Sequence, residues 1–141
     1  MKGVKMEPDA ATVRVLVVED NDFIRELVVT MLREIGFRDI AQARDGHDAL
    51  SQIETADPGL IICDISMQPM DGLEFVETLR QHSWPHAAEV PVIFLTSHTE
   101  APIVKRAFKL GVEAYVVKPV QKKQLEVRVM TTLERALARR P

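Results

Sequence analysis

Leu60-Ile61-Ile62-Cys63-Asp64-Ile65-Ser66-Met67-Gln68-Pro69-Met70-Asp71-Gly72 is the stretch whose reading decides the fold. An apolar run ends in a single carboxylate, and a loop rich in turn-forming Pro, Asp and Gly follows at once. Continuous apolar character over so short a length, bounded by Pro58-Gly59, predicts a strand buried on both faces. Such strands belong to parallel α/β sheets, where ligand chemistry gathers beyond the carboxyl ends of the strands. Asp64, as the last residue of the run, is therefore the candidate reactive residue.

The same pattern repeats outward from this stretch. Val13-Arg14-Val15-Leu16-Val17-Val18 predicts the first strand, ending in the acidic turn Glu19-Asp20-Asn21-Asp22. Ile24, Leu27, Val28, Met31, Leu32 and Ile35 follow i, i+3, i+4 spacing and predict a helix that stops at Gly36. Phe37 to Ala43 is a weaker second strand, and Ala49, Leu50 and Ile53 support a short helix after the Asp45-Gly46 turn. Beyond Asp64, Leu73, Val76, Leu79 and Arg80 suggest a third helix to about His82, with Ser83-Trp84-Pro85-His86 as its exit loop. Val90 to Leu95 is a fourth strand, with Pro91 tolerable near its beginning. Pro102 suits the first turn of a fourth helix that carries Ile103, Ala107 and Leu110 and closes at Gly111. Ala114 to Val117 is a short fifth strand, and a helix from about Lys122 to Ala138 turns Leu125, Val129, Leu133 and Leu137 inward.

Five strands alternating with five helices predict a doubly wound parallel sheet. Periodicity does not set the strand order; 2-1-3-4-5 is the common small solution. At 141 residues, with 46% hydrophobic and 28% charged residues, the chain has ordinary globular composition and room for a real core. We expect a loose N-terminal arm over residues 1–12, one domain over residues 13–138, and no attached output domain. The net charge of −3 gives no reason to expect nucleic-acid binding through bulk electrostatics. One cysteine, Cys63, permits no internal disulfide, and no apolar stretch approaches the roughly 20 residues of a membrane span. A cytoplasmic protein is the expectation.

In a parallel sheet the strand-end residues Glu19, Asp20, Asp64, Thr96 and Lys118 fall on one rim. Alone, each is common at a strand exit. Together they supply carboxylates for a hard cation, a nucleophile, a hydroxyl donor and a fixed positive charge, which suits phosphoryl transfer. Carboxylates so close together repel, and Mg²⁺ held by Asp20 and Asp64, with Glu19 acting directly or through water, would relieve that. Lys118 would neutralise charge on the incoming phosphoryl group, and Thr96 would donate a hydrogen bond to it.

Val15-Leu16-Val17-Val18-Glu19-Asp20-Asn21, the Asp64 to Gly72 loop, Phe94-Leu95-Thr96-Ser97 and Tyr115-Val116-Val117-Lys118-Pro119 together resemble, in order, the motifs of the CheY-like receiver domain of bacterial two-component response regulators. The resemblance spans about residues 13–138 and implies the flavodoxin-like (βα)5 fold with order 2-1-3-4-5. It implies a stand-alone phosphorylation switch rather than an enzyme, although one that assists its own Mg²⁺-dependent phosphorylation and dephosphorylation. Asp64 would take a phosphoryl group from a histidine kinase or histidine phosphotransfer protein. Glu19, Asp20, Asp64 and the backbone carbonyl of Ser66 would ligate Mg²⁺. Thr96 and Tyr115 would form a switch pair that reshapes the face of helix 4, strand 5 and helix 5 for an unknown downstream protein or a homodimer partner. The Lys118-Pro119 bond would be cis. Two departures stand out: Glu19 occupies a position where many members carry Asp, and Pro69 comes one place later than usual. Ser66 and His98 fall where the family tunes phosphoryl lifetime.

Several features have plainer readings beside these. Cys63 reads as a buried small apolar residue, and Pro85 spoils a metal pair of His82 and His86. Phe23 reads equally as a packing residue or an exposed anchor for a donor helix. Val127 and Met130 on the last helix read first as core. Asp20-Asn21-Asp22 also resembles the nucleophile motif of haloacid-dehalogenase phosphatases, which would make Asp20 the phosphorylated residue. That alternative leaves Asp64 unexplained and finds only Glu126 and Glu134 downstream of Lys118. A degenerate receiver acting as an unphosphorylated adaptor is the remaining alternative.

Overall fold

A computed structural model describes residues 7–97 and 99–139. Strands β1 (Arg14–Val18), β2 (Asp39–Ala43), β3 (Leu60–Asp64), β4 (Val92–Thr96) and β5 (Ala114–Val117) alternate with helices α1 (Asp22–Ile35), α2 (Gly46–Ala56), α3 (Gly72–Arg80), α4 (Ala101–Lys109) and α5 (Lys122–Ala138). All four strand pairings are parallel, and the order is β2-β1-β3-β4-β5. This is the expected flavodoxin-like (βα)5 arrangement. No helix among the described residues is long and apolar enough to cross a membrane.

Strand alternation sorts the core into two layers. Leu16, Val18, Ile61, Cys63, Val92 and Phe94 face Ala49, Ile53, Phe75, Val76 and Leu79 from α2 and α3. Val15, Val17, Ile62, Ile93, Leu95 and Val116 face Val28, Val29 and Leu32 of α1 and Leu125, Val129 and Leu133 of α5. β3 sits at the centre with all five residues buried. Asp64 is thereby carried into the middle of the rim.

The boundaries differ from expectation where a backbone group has another partner. Gly36 adopts φ 127°, and its N–H and that of Phe37 donate back to Leu32 O. Phe37 is therefore buried in the helix exit, and β2 starts at Asp39. β4 starts at Val92 because Pro91 has no N–H, although Pro91 O accepts from Ile61 N at 3.0 Å. α3 ends at Arg80, whose guanidinium donates to Leu110 O, Ala87 O and Val90 O. Trp84 lies in the expected exit loop but is buried there, and its Nε1 donates to Asp57 Oδ1 at 3.0 Å.

Residues 1–6 of the expected arm lie outside the described residues. Ala10–Thr12, also within that range, forms a single 3-10 turn capped by Asp9, with Ala10 against the α1–α5 side of the core. On α5, Met130 packs on the core whereas Val127 is exposed.

Candidate functional site

The carboxyl ends of four strands build the site. β1 delivers Glu19 and Asp20, and Asn21 caps α1 by accepting from Ile24 N at 2.9 Å. β3 delivers Asp64, β4 delivers Thr96, and the residue after β5 is Lys118. Carboxylate oxygens of Glu19, Asp20 and Asp64 all lie within 4.8 Å of one another. Lys118 Nζ stands 3.1 Å from both Glu19 Oε1 and Asp64 Oδ1. Lys118 N donates to Thr96 O at 2.8 Å, which ties the ends of β4 and β5 together behind the ammonium. The structure thus brings the five rim residues of the sequence reading to one place. The Lys118-Pro119 bond is cis, and so is Gln68-Pro69 in the loop after Asp64.

Burial and like charge dominate the electrostatics. Glu19 is fully buried, Asp64 and Thr96 nearly so, and Asp20 is exposed. Burial first, then hydrogen bonding and charge from Asp64 and a hydrogen bond with Asp20, raise the Glu19 carboxyl from 4.5 to about 7. Burial pulls the Lys118 ammonium down, but Asp64 and Glu19 outweigh it and the net shift is upward. Three carboxylates against one ammonium leave an excess of negative charge. An all-oxygen set of this kind fits Mg²⁺, which takes few protein ligands and keeps waters.

Ser66 N donates to Asp64 Oδ1 at 3.2 Å, so the Ser66 peptide borders the carboxylate. Gly72 closes the loop by donating from its N–H to Ile65 O at 2.8 Å. Its lack of a side chain is required: a Cβ there would run into Asp64 O and come within 2.9 Å of Ile65 Cα. Both are backbone atoms of the segment that aims Asp64. Gly72→Ala should therefore lower stability by about 2 kcal/mol and slow any reaction at Asp64. Equilibrium denaturation checks the first effect; an unchanged midpoint would contradict this account of the loop.

Asp22 turns away from the cluster to pair with Arg25 at 2.7 Å, and Glu126 and Glu134 lie on α5. Cys63 is buried, its thiol pushed well up by burial, and Sγ donates to Asp64 O at 3.2 Å. His82 Nδ1 accepts from Trp84 N at 2.9 Å. Tyr115 is half-buried and makes an edge contact with Phe108, ring centroids 6.3 Å apart. Phe23 is 76% exposed, which removes the packing reading. His98 lies outside the described residues. Sequence reasoning does not find Arg25; its i, i+3 spacing from Asp22 is the one trace it leaves.

Residues 15–130 match the response regulator receiver domain family. The chain belongs to that family. Its receiver fold superposes on chemotaxis protein CheY4 of Vibrio cholerae with TM-score 0.75 and 30% identity, covering 87% of this chain and 97% of that one. The receiver domain of a signal transduction histidine kinase from Syntrophus aciditrophicus gives TM-score 0.78 and 28% identity, covering 92% and 96%. "Probable transcriptional regulator ycf27" of Porphyridium aerugineum is 34% identical over 122 residues, 86% of this chain and 48% of that protein. The chain thus spans about half the length of the curated relatives it matches. As a receiver it is a regulatory phosphoacceptor domain of two-component signalling, a class that interacts with histidine kinases or phosphotransfer proteins.

Proposed function

We propose that Asp64 is the phosphoacceptor, and that Glu19, Asp20, Asp64 and the Ser66 carbonyl hold Mg²⁺ beside it. The observation that carries this reading is Lys118 Nζ at 3.1 Å from both Asp64 Oδ1 and Glu19 Oε1, with Asp20 in the same carboxylate group. An Asp64 oxygen attacks the phosphorus of a donor phosphohistidine. The new O–P bond forms as the P–N bond breaks, and the imidazole leaves with the electron pair. Mg²⁺, when bound, offsets charge on the carboxylates and the transferring group. Lys118, already poised on Asp64, takes up charge on the phosphoryl oxygens. Thr96, buried at the end of β4, donates its hydroxyl to one of them. The same groups assist transfer from a small donor such as acetyl phosphate, and later hydrolysis by water.

Phe23, with Leu27 one turn along α1, lies beside the acidic loop and forms an apolar rest for the donor's helix. Output passes through α4, β5 and α5. Movement of Thr96 toward the phosphoryl group draws Tyr115 with it. The α4 groove of about 850 Å³, lined by Lys105, Phe108, Lys109 and Tyr115 among others, then changes shape for a downstream protein or a second copy of the chain. The setting for this chemistry is the cytoplasm.

The test is to phosphorylate the full chain with acetyl phosphate and Mg²⁺, then locate the acyl phosphate by borohydride reduction and peptide mass analysis. Label on Asp64 is expected. Label on Asp20 would instead support the haloacid-dehalogenase alternative, and no label at all would leave an unphosphorylated adaptor.

A further inference from the structure

The acidic loop sets carboxylates side by side, so its backbone must be held against their repulsion. Glu19 N donates to Ala43 O at 3.0 Å, and Asn21 N donates to Glu19 Oε2 at 3.2 Å. The Glu19 carbonyl is held by a side chain: Arg25 Nη1 donates to Glu19 O at 2.8 Å. The same guanidinium donates from Nη2 to Asp22 Oδ1 at 2.7 Å and from Nε to Gln42 Oε1 at 3.3 Å. The Arg25 side chain is only 14% exposed, low for an arginine on the first turns of a surface helix. Gln42 is itself braced, since its backbone O accepts from Gln52 Nε2 at 2.8 Å. A rigid fork thus links α1, β2 and α2 to one peptide of the loop.

That peptide matters because its atoms are coplanar. Glu19 C=O and Asp20 N belong to one rigid unit, so holding the oxygen fixes the direction in which Asp20 Cα leaves. Asp20 is the one exposed member of the carboxylate group, with no core packing to aim it. Pairing with Arg25 also turns Asp22 out of the cluster.

We propose that Arg25 is a positioning residue for the carboxylate pocket: its fork on Glu19 O, Asp22 and Gln42 sets the aim of Asp20 and hence the pocket's affinity for a divalent cation. This rests on the reading of the Glu19, Asp20 and Asp64 pocket as a Mg²⁺-assisted phosphoacceptor site. Partners that orient metal ligands from behind affect affinity strongly even without touching the ion. An ion pair that merely staples a helix start would alter stability and leave cation binding alone.

Mg²⁺ titration of the full chain, followed by the amide NMR shifts of Asp20 and Asn21, separates the two roles. Arg25→Gln is expected to weaken Mg²⁺ affinity roughly 10-fold. Arg25→Lys, with one compact donor in place of the fork, recovers part of that loss. Gln42→Ala, which removes one acceptor and leaves the Glu19 contact, gives a smaller loss and guards against misfolding of the Arg25 variants. At saturating Mg²⁺, phosphoryl uptake by Arg25→Gln from acetyl phosphate returns close to wild type. A shifted unfolding midpoint with unchanged Mg²⁺ affinity in Arg25→Gln would overturn the positioning role and leave the phosphoacceptor reading intact. Wild type that takes up no Mg²⁺ would overturn both.

Discussion

Asp64→Asn is expected to reduce phosphoryl incorporation to background while making the folded protein more stable. The first effect follows from chemistry. A carboxamide oxygen carries no charge to offer phosphorus, and Glu19 does not take its place, being buried and engaged by Lys118 and Asn21 N. The second follows from the charge balance. Oxygens of three carboxylates lie within 4.8 Å of one another and share one ammonium. Asn has nearly the volume of Asp, so the packing around position 64 is kept while one negative charge is removed. Lys118 loses the charge attraction of its 3.1 Å contact with Asp64, where an amide oxygen still accepts its hydrogen bond, and keeps the pair with Glu19. We expect a gain of about 1 kcal/mol in metal-free buffer, the usual sign when a functional site gives up strained charge. Denaturation in EDTA measures it, and acetyl phosphate labelling measures the chemistry. A variant that unfolds earlier than wild type would show that the Asp64–Lys118 pair outweighs the repulsion. Labelling that persists would remove Asp64 from its role.

The strands and their order of use were legible because each is a short apolar run closed by a polar residue. Parallel pairing then carries those polar residues to one rim, so Glu19, Asp20, Asp64, Thr96 and Lys118 are legible together in the sequence. The structure adds what local pattern does not encode. Arg25 reaches Gln42, seventeen residues away along the chain, and Arg80 reaches Leu110 across thirty. Neither pairing has a sequence period. Trp84 lies in the exit loop that Ser83 and Pro85 imply; its burial and the bond from its indole to Asp57, at the end of α2, have no local signal. Phe23 could not be assigned from spacing, since an apolar residue near a helix start packs inward or stands free depending on neighbours that only the fold supplies. The requirement for Gly72 was equally hidden: glycine at a helix start is common, and the approach of Asp64 O appears only once the loop folds back.

The other large effect is on stability as a function of pH without divalent cation. Glu19 has an ordinary value of 4.5 and stands at about 7 in the folded protein, raised by burial first and then by Asp64 and Asp20. Between these values the folded state holds a proton that the unfolded chain has released. Folding then takes up a proton, so the contribution of Glu19 is fully present below 4.5, falls as pH rises, and is gone above about 7. The total is at most on the order of 3 kcal/mol across that window. Lys118 does not confuse the sign: its value is raised, so its contribution persists until pH passes the ordinary lysine range. In EDTA the denaturation midpoint should therefore decrease from pH 5 to pH 8, a range above the titration of ordinary carboxylates. Mg²⁺ should reverse most of the decrease, because it binds the ionised pocket of the folded state and gains affinity as that pocket loses its proton. Glu19→Gln, which removes the titrating group and keeps the size, should flatten the profile in EDTA. A midpoint that climbs from pH 5 to pH 8 in the wild type, or a slope that survives in Glu19→Gln, would assign the pH dependence to another group.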